Sequence, residues 1–389
     1  DEKQLGRQAT DLLRRKLDAL ESMALERFKI QVTFFLVDIF KARDNDFGGS
    51  SQESSGSAQA RLLKEEFYRT MVYVAGRLPL WTALPTSISS NYYNLIFDCI
   101  NRLPGTKRYI DLGDIHAIPR NEYFGASVWQ MFKWLKSPFK SVIKMALLEK
   151  YMNTYGREPM LCNEYKNEWM NSGTHLKPGQ NDSYIILINT MIQFYMKSGD
   201  THSIKLLLTC FFLKLGITKQ SELDFSVFGL RRNLLERCLR EWGWTLEKVF
   251  EVGRFRSWPY TAIHRLSLTI EQYMMTRYAD LKSRFRDDPG GLAISEQDRM
   301  VLERKVDIQF QDKPGKIKKL LLISGGDRHF SRLYLRYLDT PGKRYGQWKL
   351  IHKPSIHAQM DEESILTASS VEEIGAWLIH NHLYTDHTF

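Results

Sequence analysis

The sequence predicts an α+β fold in which helices predominate. Three observations predict it. Apolar residues recur at one-face helical spacing over 204–284 and on both sides of Pro138. A β-branched and aromatic run, IQVTFFLV at 30–37, has the composition of a strand. After Pro314 short apolar runs alternate with turns and lead into one more helix, the pattern of a small mixed module.

The elements follow in order. Residues 1–29 read as a charged amphipathic helix with Leu12, Leu13, Leu17, Leu20, Met23 and Leu25 on its apolar side. The 30–37 run is nearly continuous in apolar character, which fits a strand buried on both faces, and Asp38 ends it. Lys41 to Ala60 is a polar, Gly- and Ser-rich loop; its amides could wrap phosphates, or it is a lid or a plain surface loop. Residues 62–76 form a helix with Leu62, Leu63, Phe67, Val74 and Ala75 toward the core and Glu65, Glu66 and Arg69 among its polar positions. Pro79 and Pro85 punctuate a connector around Trp81, and 91–103 is helical.

The centre of the chain is 111–151. A DLGD turn leads into a helix whose apolar face carries Val128, Met131, Phe132 and Leu135. Pro138 disfavours helical geometry at Ser137, so a second helix begins there with Val142, Ile143, Met145, Ala146 and Leu147. Residues 160–180 read as a polar connector. The apolar helix at 183–196 has Asp182 placed to accept its free amides as an N-cap. Gly243 stops a later helix, and 285–299 is a linker ending in a Ser295 to Asp298 cap. Strands are expected at 317–324, 333–338 and 347–352, and a helix at 371–382.

Bulk properties narrow the function classes. The 389 residues suffice for two or three domains, and 43% hydrophobic content with 12% aromatic content supports a large core. A net charge of +10 suits a phosphate-bearing ligand or another anionic partner. No zinc-finger spacing, recognition motif or basic tail points to nucleic acid. Cys99, Cys162, Cys210 and Cys238 are widely spaced and read as reduced core thiols of a cytoplasmic protein. No apolar run approaches ~18 residues, so no membrane span is expected. The chain opens on Asp1 within a helical pattern, which reads as a fragment of a longer protein. Five histidines, His352, His357, His380, His382 and His387, crowd the C-terminal end without metal-ligand spacing, and His116 reads as an incidental surface residue of the DLGDIHAIP turn.

Lys133, Lys136, Lys140 and Lys144 cluster across the Ser137-Pro138 break, and Lys140 and Lys144 share one helix face. Beside aromatic residues they could hold a polyphosphate; they could equally be a solvated face. Arg69 offers a bidentate fork to phosphate oxygens or an ion pair to Glu65 or Glu66 of its own helix.

The run EYFGASVWQMFKWLKSPFKSVIKMALLEKY at 122–151 resembles the class I adenylate cyclases, in order and without gaps. GSAQARLLKEEFYRT at 56–70 is similar to another segment of that family, as are the 30–38 run and ISEQDRMVLERK followed by PGKI near the end. The resemblance implies a partial polymerase-β-like nucleotidyltransferase sheet, a helical domain and a small C-terminal α+β module. Its divisions are 1–60, the remainder of the catalytic domain; 61–290, the substrate side; and 291–389.

The implied reaction converts ATP to cyclic AMP and pyrophosphate, the ribose 3′-hydroxyl attacking the α-phosphorus in line. Two divalent ions, Mg²⁺ or Mn²⁺, and cationic side chains on the triphosphate are expected. Arg69, Lys133, Lys140 and Lys144 are the expected phosphate ligands, Ser57 and Gln59 the nucleotide-orienting residues. Asp182 is either a site residue or a helix cap. The D-x-D pair of the superfamily is not found; Asp44-Asn45-Asp46 precedes the glycines and is rejected, so the pair is expected upstream of Asp1. Gln31 stands where the family tends to have an acid, leaving Asp38 as the candidate metal ligand, or a dispensable third carboxylate, or an impaired homologue. A sugar phosphotransferase-system regulator is the implied partner. The alternative is a helical nucleotide-binding or regulatory module without turnover.

Overall fold

The computed structural model describes residues 2–34, 36–47, 60–102, 108–115, 117–171, 182–215, 239–286, 332–339, 346–353 and 363–384, with isolated positions between them. Ser57, Gln59, His116, the 285–299 linker beyond Arg286, and the expected strand at 317–324 beyond Ile317 lie outside these residues.

Helices dominate, with α1 at Glu2–Phe28, α2 at Ile39–Arg43, α3 at Ala60–Thr70, α4 at Leu80–Ala83 and α5 at Ser90–Arg102. The central pair is α6 at Arg120–Lys133 and α7 at Pro138–Asn153, followed by α8 at Leu161–Asn171, α9 at Ser183–Ser198 and α10 at Thr201–Leu215. Then come α11 at Leu246–Gly253, the long α12 at Tyr260–Arg286 and the terminal α13 at Val371–His380. Strands β1 (Leu78–Pro79) and β2 (Tyr109–Ile110) pair in parallel. Strands β3 (Tyr334–Leu338), β4 (Gln347–Lys353) and β5 (Glu363–Ala368) form an antiparallel meander. No described helix is long and apolar enough to cross a membrane.

Helix α7 is the axis of the molecule. It packs against α6, α9, α10 and α12, and its residues from Ser141 to Met152 are buried except Lys144. A helix enclosed on nearly all sides keeps little amphipathic signal, so its few exposed polar positions stand out. Proline 138 opens α7 at a position where a missing N–H costs nothing. The EYFGAS segment of α6 is core: Tyr123 and Phe124 are buried, and Phe124 stacks on Phe285 of α12. Trp81 stacks on Tyr68 of α3, as expected of a core tryptophan. The β3–β5 sheet and α13 share a separate cluster with Tyr260 and Ile263 at the start of α12.

Several expectations need correction. Among the described residues, 30–34 and 36–38 are not a strand in a sheet. They have no regular secondary structure and pair with no described strand, and Ile30, Phe34, Leu36 and Val37 are exposed. A strand needs a partner's ladder to satisfy its backbone, and composition alone does not supply one. The apolar side of α1 is likewise uncovered at Leu12, Met23 and Leu25, and the helix breaks at Gly6. The loop expected from Lys41 opens inside α2, and the helix expected over 62–76 stops at Thr70, leaving Val72 and Val74 exposed. The connector expected over 160–180 contains α8 instead. Buried Leu161, Cys162 and Lys166 give α8 an inward face that its polar composition hides.

A polar knot ties α2 to the body. Arg43 Nε meets Asp111 Oδ2 at 3.1 Å, and the guanidinium lies over Phe97. Lys64 of α3 donates to the Arg43 carbonyl at 3.1 Å. Gly113 closes the DLGD turn at φ +82°, where an added Cβ would sit 2.8 Å from both the Arg43 carbonyl and the Lys64 ammonium. Glycine is therefore required there on conformational and steric grounds.

Candidate anion-binding site

Helix α3 carries Glu65, Glu66 and Arg69 within one turn. Arg69 Nε donates to Glu65 Oε1 at 3.1 Å, and the two side chains are 4% and 1% exposed. The intrahelical partner foreseen for Arg69 is thus real. The same Glu65 oxygen accepts the Cys162 amide at the start of α8, also at 3.1 Å. Burial opposes the charge on Arg69, but Glu65, Tyr151 and Glu66 outweigh it and hold the guanidinium protonated. Its Nη1 is buried with no hydrogen-bond partner among the described residues. A buried cationic N–H without an acceptor is costly, and an anionic ligand oxygen would relieve that cost.

Glu66 takes a different partner. Lys144 Nζ of α7 donates to Glu66 Oε2 at 2.8 Å. Burial pushes the Glu66 carboxyl up, but Lys144, Arg69 and Lys140 together hold it below the usual range. Lys133 and Lys140 are lowered, first by burial and then by Lys144, while Glu66 supports the charge of both. Lys214 of α10 adds to the repulsion at Lys140. Arg69 and the three lysines expected to bind phosphate therefore share one electrostatic neighbourhood, with Glu66 among them. Lys136, the fourth lysine of the cluster, is exposed.

The expected acidic residues are differently engaged. Asp38 caps α2, its Oδ1 accepting from Phe40 N at 2.9 Å and Lys41 N at 3.1 Å. The Lys41 amide, with that of Phe40, holds its carboxyl below the ordinary value against the opposing effect of desolvation. Asp182 caps α9, accepting from Tyr184 N at 2.8 Å and Ile185 N at 3.1 Å, as the cap reading anticipated. Among the described residues no group of three or more His, Cys, Asp or Glu side chains is arranged to hold a metal ion. The described carboxylates therefore offer no three-ligand set for a divalent ion.

Two features escaped sequence reasoning. One is the pairing of Glu66 with Lys144 of α7, because the sequence offered Glu66 only as a partner for Arg69 of its own helix. The other is Glu122 of α6, which caps α3 from a distance: its Oε2 accepts the amides of Arg61 at 3.1 Å and Leu62 at 3.2 Å. Burial pushes the Glu122 carboxyl up to about 7, although the Leu62 amide and Arg61 oppose the rise. A raised carboxylate pKa means that ionisation works against the fold. Stability should fall as pH climbs from the unfolded value, roughly 4.3, to about 7. Glu122→Gln keeps an acceptor for both amides without the charge. Its stability relative to the parent is expected to rise through that window by at most about 4 kcal/mol and to level off above it. Urea titrations at several pH values check this, and a pH-independent difference would refute it.

A cleft of about 870 Å³ opens elsewhere, lined by residues that include Lys150, Glu158, Glu164, Asn189 and Gln193; none of the described residues expected in the site lines it.

Comparisons with known proteins agree with one another. Residues 118–321 match the family model described as adenylate cyclase, class-I, second domain, and residues 1–82 match that of the adenylate cyclase NT domain. The chain is 30% identical over 380 residues to an adenylate cyclase of Yersinia intermedia, covering 97% of this chain and 44% of that protein. It is 27% identical to that of Haemophilus influenzae over 97% of this chain and 44% of the relative. For the Escherichia coli K12 protein the figures are 28%, 99% and 45%. The chain thus spans less than half the length of these relatives. No solved structure gives a significant match.

Proposed function

The chain belongs to the class-I adenylate cyclase family, and from that premise we propose that it supplies the cationic substrate-side wall of an enzyme converting ATP to cyclic AMP and pyrophosphate. The observation that carries this reading is the gathering of Arg69, Lys133, Lys140 and Lys144 from three elements around one carboxylate. Attack of the ribose 3′-hydroxyl on the α-phosphorus drives negative charge onto the departing pyrophosphate. Lysine ammonium groups act there as point charges, and the buried Nη1 of Arg69 offers a directed donor. Ser57 and Gln59 are proposed to orient the nucleotide. Mg²⁺ or Mn²⁺ is proposed as cofactor and a sugar phosphotransferase component as regulator; the described carboxylates supply no three-ligand set for the ion, so no step is assigned to it.

A second reading, a nucleotide-binding module without turnover, is favoured by Asp38 and Asp182, both engaged as helix caps. Calorimetric titration of the 389-residue chain with ATP, paired with cyclic AMP measurement in Mg²⁺ on a chain extended upstream to include the expected D-x-D pair, separates the two. Binding by this chain and turnover by the extended one are expected of a substrate-side wall, and binding by both with turnover by neither supports the module. Absence of ATP binding would defeat both.

A further inference from the structure

Glu66 occupies the place in the cation cluster that a ligand would need. Its Oε2 holds Lys144 at 2.8 Å, and Arg69 and Lys140 also stabilise its charge. The neighbouring Glu65 is sealed at 1% exposure and bound twice, to Arg69 and to the Cys162 amide. Glu66 has neither restraint: its side chain is 32% exposed, and its ion pair joins two different helices. Carboxylate and phosphate oxygens make equivalent charge-assisted bonds to an ammonium. A phosphate entering here must displace Glu66 from Lys144 or bear the repulsion of a like charge within a few ångströms.

We infer that Glu66 is a built-in competitor for the cluster, and that it sets how tightly polyphosphate binds. The inference rests on the anion-site reading above and adds to it a residue that opposes binding. In the ligand-free protein Glu66 balances part of the cluster's charge. On binding, its carboxylate turns outward to water and Lys144 passes to the ligand. A polyphosphate with several negative charges can drive that exchange by engaging the remaining cations as well.

The test is titration of inorganic triphosphate into the wild-type chain, Glu66→Gln, Glu66→Met and Lys140→Ala, with thermal melts to verify folding. Both Glu66 variants are expected to bind up to about fivefold more tightly than wild type, because both remove the competing charge. Unchanged or weaker binding in both overturns the competitor role. Lys140→Ala tests the site itself and is expected to bind more weakly. If Lys140→Ala binds as wild type does, or if neither wild type nor a Glu66 variant binds, the cluster is not the anion site and the inference falls with it. If Lys140→Ala weakens binding while the Glu66 variants do not strengthen it, only the competitor role is lost.

Discussion

Alanine at both Lys140 and Lys144 is expected to weaken triphosphate binding at least about a hundredfold while barely changing stability. Each lysine would give a phosphate a charge-assisted bond, worth about 1.5–3 kcal/mol, and every 1.4 kcal/mol is a factor of about ten. The fold has little to lose. The Lys144–Glu66 pair has side chains 23% and 32% exposed, a setting in which ion pairs contribute about 1 kcal/mol or less. Calorimetry with triphosphate and urea unfolding on the same variant measure the two effects. Equal losses in both would mean that the lysines are structural. Burial and mutual repulsion already lower the proton affinity of Lys140. Affinity should therefore fall at a lower alkaline pH than an ordinary lysine would give.

Arg277→Met is expected to cost about 3–5 kcal/mol of folding stability, the second large effect. Arg277 of α12 bridges Glu149 Oε1 of α7 at 3.0 Å and Asp200 Oδ2 at the start of α10, and donates to Ser203 Oγ at 2.9 Å. It lies over the rings of Tyr195 and Tyr273, whose hydroxyls are 2.7 Å apart. Tyr195 also donates to Glu149. Burial pushes the Glu149 carboxyl up, while Tyr195 and Arg277 favour its charged form. Without Arg277, a carboxylate 7% exposed loses its counter-charge. Adding Glu149→Gln should recover part of the loss, and a double-mutant cycle by urea unfolding reads that coupling. Additive costs would show that the pair does not act as a unit. The network also fixes how α7 sits against α10 and α12, and α7 carries Lys140 and Lys144.

What was legible in the sequence followed from local rules. Pro138 and the apolar spacing on either side of it marked α6 and α7, and Asp182 before an apolar run marked the start of α9. The strand compositions at 333–338 and 347–352 found neighbours and became β3 and β4. The same reasoning failed at 30–38 because pairing is not a property of the segment that pairs. It failed at α8 because LCNEYKNEWMN spends a lysine on the interior: Lys166 donates to the Trp81 carbonyl and lies 4.1 Å from the centroid of the Trp81 ring. No rule of hydrophobic spacing counts a lysine as core.

The sequence by itself determined the family, the helical frame and the identity of the cations, since runs such as 122–151 carry that information without reference to any partner. Only the tertiary structure decided which charges meet. Glu65 and Glu66 are adjacent and chemically identical, yet one is sealed against Arg69 and the α8 amide while the other reaches across to Lys144. Successive residues on a helix point about 100° apart, so their environments depend on what packs on each side. That packing is set by helices distant in the chain.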